Sequence, residues 1–490
     1  MSFVSELAPQ PLWQHFDEIL KIPRPSKQEE RARRYVLEIA ARKGLRHRQD
    51  AAGNLVVEKP ASPGREAAPI VVLQGHLDMV TEKNSGTAHD FDRDPIVPQR
   101  EGDWVKATGT TLGADNGIGA AAMLAVMEAD DWVHGPLELL FTVDEETGLN
   151  GVLDLDPAAI ALQGRLLLNL DSEEEGAVTI GCAGGSTSHL SLPLETAPTP
   201  AGAAALDIHL SGLKGGHSGM EIHLQRGNAV KLLARALSAG VAAVQQAPFH
   251  LASFQGGNKH NALPREAQAR VVLPAASRDA FAAAVEREAA AMASEIHAVD
   301  PGLTVEIADA AVPQLVWTAA ATRTALDLLS ALPHGVLAMS MDIPGLVETS
   351  LNLATVAEDG GRLAALTSIR SSVASAMRAT KQSLRAIADL AGAEAAENDG
   401  YPGWKPDVDS PLLTRFRQVH RRVAGSDPEL KAVHAGLECG VLGEKFAGMD
   451  MISFGPVIQG AHSPDERVNV PSVGRFYDLL KATLAELAGA

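Results

Sequence analysis

Three short apolar runs in the first 170 residues of the chain each lead into an acid or a histidine. Residues 70–73 run into Gln74-Gly75-His76-Leu77-Asp78, residues 137–143 into Asp144-Glu145-Glu146-Thr147-Gly148, and residues 166–170 into Asp171. Runs this short and this apolar, interrupted only by Glu138 and Thr142 in the second and Asn169 in the third, read as strands covered on both faces. Residues 55–57 add a further strand, and 118–127 carry a helical pattern between two of the runs. Two helices, 12–22 and 29–43, open the chain, with Ser26 placed to cap the second. The alternation predicts an α/β domain on a mostly parallel mixed sheet. In such a sheet ligands bind beyond the C-terminal ends of the strands, which is where these charged residues fall.

After Gly184-Gly185 the pattern changes. Residues 205–210, 267–273 and 363–369 read as amphipathic strands, accompanied by helices at 228–239, 278–298 and 374–391. That mixture predicts an α+β insertion over 186–396. From about Glu397 the first style returns, with a strand at 451–454 and a last helix at 473–487. The α/β domain is thus expected in two pieces, 1–185 and 397–490.

A chain of 490 residues with 46 % hydrophobic and 21 % charged residues has ample core for two or three domains. Its formal net charge of -19 repels phosphate backbones and anionic lipid surfaces, so neither nucleic acid nor a membrane is expected as a partner. A basic leader and a long apolar span are both missing from the sequence, which makes the cytoplasm the expected location. Cys182 and Cys439 stand in no paired spacing, so a disulfide framework or a cysteine metal site is not expected.

Each charged residue has a bland reading when taken alone. His76-x-Asp78 is a surface pair, Glu145-Glu146 is solvated, Asp115 caps the helix that follows it, and Asp171 opens an acidic loop. Their shared position alters the balance, because carboxylates at neighbouring strand ends repel one another unless cations neutralise them. After the late strand, Gly460-Ala461-His462-Ser463-Pro464 supplies a second histidine. The set then suits two divalent cations: His76 and Asp171 on one, Glu146 and His462 on the other, and Asp115 bridging. Imidazole with carboxylate fits zinc, and manganese or cobalt suit the same donors. Asp78 is expected to fix the ring of His76, and Glu145 to carry the proton between water and leaving group.

The segments around these residues resemble the zinc metallopeptidase family that includes aminoacylases, glutamate carboxypeptidases and succinyl-diaminopimelate desuccinylases. They are Gly75-His76-Leu77-Asp78-Met79-Val80, Leu112-Gly113-Ala114-Asp115-Asn116-Gly117-Ile118-Gly119, Thr142-Val143-Asp144-Glu145-Glu146-Thr147-Gly148 and Asn169-Leu170-Asp171-Ser172-Glu173. Gly215-Gly216-His217-Ser218-Gly219, Asn258-Lys259-His260-Asn261-Ala262 and His434-Ala435-Gly436-Leu437-Glu438-Cys439-Gly440 extend the likeness along the chain. The resemblance implies a dinuclear catalytic domain (1–185 and 397–490) interrupted by a lid (186–396) through which two chains pair. It also implies hydrolysis of unblocked dipeptides, those ending in histidine included. His217 is then the donor to the oxyanion, reaching it on closure of the lid or from a partner subunit, and Asn261 and Arg370 are substrate contacts, Arg370 for the C-terminal carboxylate. Taken alone, His217 reads as a loop histidine and Arg370 as a surface charge. Residues 436–440 read as a glycine-bordered loop along the pocket with Glu438 facing the substrate amine, or as a plain turn. Two rivals remain: an N-acyl amino acid deacylase or tripeptidase on the same metals, and a catalytically silent binding protein.

Overall fold

The computed structural model describes residues 2–244 and 247–489 and divides the chain into two compact units. Unit one comprises Met1–Cys182, Trp404–Ala432 and Gly436–Ala490, and unit two comprises Ala183–Gly403 with Val433–Ala435.

Four parallel strands form the centre of unit one: β1 (Val71–His76), β2 (Leu137–Thr142), β3 (Leu166–Asn169) and β4 (Asp450–Ser453), in the spatial order β2-β1-β3-β4. Antiparallel strands flank them, with Leu55–Lys59 beside β2 and Ala177–Cys182 beside β4. Every residue of β1 and β2 is buried, the condition under which a strand needs no polar alternate. The expected mixed sheet with a parallel centre is present. Its register lines up the functional ends: His76 stands opposite Thr142, Gln74 opposite Asn169, and Asn169 opposite Ser453.

Helix α1 (Ala114–Glu128) is buried along almost its whole length, and its alanines at 120–122 and 125 permit close approach of neighbouring elements. A small antiparallel sheet joins Ile458–Gln459, Arg467–Asn469, Trp104–Ala107 and Pro98–Glu101 in that order. The expected role of Ser26 as a helix cap is not realised. Glu29 holds the N-cap position of helix Glu30–Arg42 without a side-chain cap, and the Ser26 hydroxyl donates instead to Asp78 Oδ2 at 2.8 Å.

Unit two is α+β. Its large sheet is antiparallel in every pairing, running Thr304–Ala310, Ala203–Ser211, Ala267–Pro274, His250–Gly256, Val347–Asp359, Arg362–Ser371, Gly184–Pro193 and Glu394–Glu397. Leu206, Ile208 and Leu210 enter the core while Asp207 and His209 alternate outward, as period-two patterning requires. Helix Ala229–Val244 meets that core with Val230, Leu233, Ala234 and Leu237, one helical stripe. Among the described residues no helix is long and apolar enough to cross a membrane.

Candidate metal centre

Strand β1 ends on His76, which is 1 % exposed. Its Nε2 lies 3.1 Å from Asp115 Oδ1 and 3.4 Å from Asp171 Oδ1, and its Nδ1 lies 3.3 Å from Asp78 Oδ1. Asp171 arrives two residues beyond β3. Asp115 arrives on the irregular first turn of α1, where Asp115 (φ -80°, ψ 115°) and Asn116 (φ -102°, ψ 35°) are not helical. The Asn116 amide donates to Leu170 O at 2.8 Å and ties this turn to the end of β3. Gly75 makes room for it, because a Cβ there would collide with Asn116 Oδ1.

Strand β2 runs into a tight turn in which Asp144 has φ 49°. Glu145 O accepts the N–H groups of Gly148 (3.0 Å) and Leu149 (2.7 Å), while Glu29 Oε1 accepts that of Asp144 (2.9 Å). Asp78 completes the arrangement: Oδ1 accepts the N–H of Glu145 and Oδ2 that of Glu146, each at 3.1 Å. One buried carboxylate therefore touches the ring of His76 and the backbone of both glutamates. Sequence reasoning expected Asp78 to accept from the His76 ring, where the 3.3 Å approach does not make a hydrogen bond, and missed the two main-chain contacts.

His462 sits in the loop between Ile458–Gln459 and Arg467–Asn469. Its Nε2 lies 3.2 Å from Asp115 Oδ2 and 3.0 Å from Glu146 Oε2. The two oxygens of Asp115 are thus divided between two histidines. Among the described residues, three groups have their donor atoms within 4.8 Å of one another: His76, Asp115 and Asp171; Asp115, Glu146 and His462; and His76, Glu145 and Glu146. Glu146 Oε1 and Asp171 Oδ1 are buried with no hydrogen-bond donor. Unsatisfied carboxylate oxygens converging with imidazole nitrogens match the donor set that divalent cations take.

The electrostatics follow from burial and crowding. Burial, with Asp115 and Glu146 adding, pushes Asp171 up to about 7 in spite of His76. Glu145 is raised well above the usual carboxylate range by burial, and further by Asp171, Glu438 and Glu146. Contacts with Asp115 and Glu146 pull His462 up to about 11. Burial alone would lower His76, but Asp171, Asp115 and Asp78 raise it. The clustered carboxylates thus favour positive charge at this place, which divalent cations would supply with the imidazoles neutral.

Glu438 departs from expectation. Helix α2 (Glu438–Lys445) begins at this residue, so 436–440 is not loop throughout, and Glu438 is fully buried. Its Oε2 accepts from Gln74 Nε2 (2.5 Å) and Thr142 Oγ1 (2.7 Å), and burial pushes its pKa up to about 8. A carboxyl so enclosed does not face a substrate amine. The bordering glycines suggested an open loop and concealed the helix start.

His217, Asn261 and Arg370 belong to unit two. His217 Nδ1 accepts the N–H groups of Met220 (3.1 Å) and Gly219 (3.3 Å), which assigns the ring proton to Nε2. Burial and Arg370 lower its pKa. His217 and Asn261 line one cleft of about 770 Å³, together with Lys214 and Lys259. Arg370 is 8 % exposed, not a surface charge; its Nη1 donates to the Tyr401 hydroxyl at 3.1 Å and its Nε has no partner.

A parallel-centred sheet carrying such a cluster at its strand ends offers a ligand-binding edge with the donor set of a divalent-cation site. The chain belongs to peptidase family M20/M25/M40, whose family model matches residues 72–486. Hydrolysis of peptide bonds is its reaction class. It is 42 % identical over 487 residues to the cytosol non-specific dipeptidase of Escherichia coli strain K12, covering 99 % of each chain. The crystal structure of the aminoacylhistidine dipeptidase of Vibrio alginolyticus is similar with a TM-score of 0.92 and 42 % identity, covering 99 % of this chain and 98 % of that one. The aminopeptidase PepT of Bacillus cereus shares the fold at a TM-score of 0.56 and 16 % identity, covering 98 % of this chain and 99 % of that one.

Proposed function

We propose that the chain hydrolyses unblocked dipeptides, Xaa-His dipeptides among them, with Glu145 as general base and acid. The observation that carries the reading is the division of the Asp115 oxygens between the His76 and His462 groups, with Glu145 beside them. His76, Asp115 and Asp171 would hold one divalent cation and Asp115, Glu146 and His462 a second, with Zn²⁺ the best match and Mn²⁺ or Co²⁺ using the same donors. When bound, such ions acidify water and polarise a carbonyl oxygen.

The protein's own groups do the rest. Glu145 accepts a proton from the attacking water on its carboxylate and returns it to the departing nitrogen, a task suited to a carboxyl whose pKa burial has raised. Asp78 holds the main chain of Glu145 and the ring of His76. His217 donates its Nε2 proton to the oxyanion, Asn261 contacts the substrate, and Arg370 pairs with the C-terminal carboxylate. Residues 1–185 and 397–490 act as the catalytic domain and 186–396 as a lid through which two chains pair in the cytoplasm. The dipeptidases named among the similar proteins support the substrate class.

The test is a panel of Xaa-His dipeptides, other dipeptides, tripeptides and N-acetyl amino acids, turned over by metal-reconstituted protein and compared by kcat/KM. Dipeptides lead by at least about tenfold if the reading holds, since substrate choice is a difference in transition-state binding. A lead for tripeptides or N-acetyl amino acids assigns those substrates instead, and no turnover with any ion leaves a binding protein. Light scattering of the purified chain tests the pairing.

A further inference from the structure

The loop that delivers Asp115 is gripped from both of its hydrogen-bonding sides. Glu466, 2 % exposed, accepts four consecutive main-chain N–H groups. Its Oε2 takes those of Leu112 (2.7 Å) and Gly113 (2.8 Å), and its Oε1 takes those of Ala114 (2.8 Å) and Asp115 (3.2 Å). Leu112 and Ala114 are fully buried, so water cannot replace this carboxylate. Successive amides converging on one anion form a nest, and here the anion is a side chain of the same protein.

Arg24, also 2 % exposed, works on the carbonyl side. Its Nη1 donates to Leu77 O (2.9 Å) and Asp78 O (2.6 Å), and its Nη2 donates to Gly113 O. Gly113 has φ 71°, and a Cβ at this residue would lie 2.5 Å from Arg24 Nη2 and 2.9 Å from Met79 Sδ. The guanidinium occupies space that only glycine leaves open.

Chain geometry gives the Glu466 contact a second consequence. Arg467, next after Glu466, pairs with Lys106, and Val468 pairs with Val105 in the small sheet. The loops bearing His462 and Asp115 therefore leave adjacent strands, and Glu466 joins them again four residues after His462.

We propose that Glu466, backed by Arg24, is a positioning residue that sets the Asp115 carboxylate between His76 and His462 and makes the two cation-holding loops one rigid piece. The proposal rests on the reading of Asp115 and His462 as cation ligands. Glutamine is a sharp probe of it. An amide keeps the size of the side chain but turns one oxygen into an NH₂ group, which confronts two of the four N–H donors.

Zinc affinity of full-length parent, Glu466→Gln, Glu466→Asp and Arg24→Lys proteins is measured by competition with a chromophoric chelator, alongside kcat, KM and circular dichroism of each apo protein. Glu466→Gln is expected to keep the parent fold while losing at least about tenfold in zinc affinity and in kcat, the scale on which outer ligand supports act, with KM within about threefold. Glu466→Asp, which retains both acceptor oxygens on a shorter stem, recovers part of the loss. Parent-like zinc affinity and kcat in a folded Glu466→Gln overturn the proposal. If that variant does not fold, Arg24→Lys decides on the same readouts, and failure of both to fold overturns positioning in favour of a purely structural role. A parent protein that binds no zinc overturns the ligand reading and takes the clamp with it, whereas parent binding with unaffected variants overturns the clamp alone.

Discussion

Asp78 accepts the main-chain N–H of Glu145 at 3.1 Å while standing 3.3 Å from the ring of His76, so one side chain sits against both the turn that bears Glu145 and the end of strand β1. Against burial, its contacts with His76 hold the Asp78 carboxyl down at about 2, which keeps it an acceptor throughout the working pH range. Asp78→Ala should lower kcat by about 10- to 100-fold, as loss of groups behind metal ligands does. Steady-state kinetics with metal content measured in parallel checks this. Unchanged kcat would mean that the Glu145 turn holds itself.

Glu145→Gln removes a proton acceptor while leaving size and polarity in place. The variant should bind metal as the parent does and lose at least about 100-fold in kcat. Retention of more than about a tenth of the parent rate removes Glu145 from its assigned role.

His462 is the one member of the cluster whose side chain is largely exposed, at 56 %, and it completes only the group with Asp115 and Glu146. His462→Ala should therefore keep the His76 group and lose one equivalent of metal, with activity falling alongside. Elemental analysis after dialysis against a chelator, followed by zinc titration, reads this directly. Two equivalents retained by the variant would exclude His462 from the ligand set.

Deleting the Nε2 donor of His217 by an alanine substitution should lower kcat by about 100-fold, the scale for loss of one oxyanion donor. KM should move little, because the interaction belongs to the transition state. A change confined to KM would assign His217 to ground-state binding.

Acid should destabilise unit two through His434. Burial, and then Arg370, depress this imidazole to about 3, and its Nε2 is paired with Ser350 Oγ at 2.7 Å. An unfolded histidine titrates near 6.5, so between about pH 6.5 and 3 the unfolded chain holds a proton that the folded one does not. Stability is fully present above that window and falls as pH drops through it. Between pH 6.5 and 5 the loss is about 2 kcal/mol from this residue. Urea midpoints at the two pH values should therefore fall further for the parent than for His434→Gln, and equal falls would show that the ring is protonated in the folded protein.

The strands β1, β2 and β3 are legible in the sequence because each is largely covered on both faces and so carries a predominantly apolar run, with Glu138 the one charged residue inside β2. The residues that follow them are legible for the same reason, since a strand end fixes where its next side chain goes. Long-range support is not legible. Glu466 serves four main-chain amides that lie between 351 and 354 positions away, and no side-chain pattern encodes a partner of that kind. Arg24 likewise binds carbonyl oxygens and reads as an ordinary turn residue. Ser26 and Glu438 mislead in the opposite sense, because local rules for caps and glycine loops were overruled by a distant carboxylate and by burial. The antiparallel insertion is visible as alternation at Leu206, Ile208 and Leu210, whereas the order of its strands is not, because pairing joins segments far apart in the chain.

Strand β4 has a bearing on biosynthesis. It is made from Asp450–Ser453, yet it lies between β3 and Ala177–Cys182, two segments completed long before it. A nascent chain emerging from the ribosome must carry β3 with one bare edge while nearly three hundred further residues are translated, a state prone to mispairing with other chains. Any truncation that removes β4 leaves a gap inside the sheet, with the edges of β3 and Ala177–Cys182 both bare.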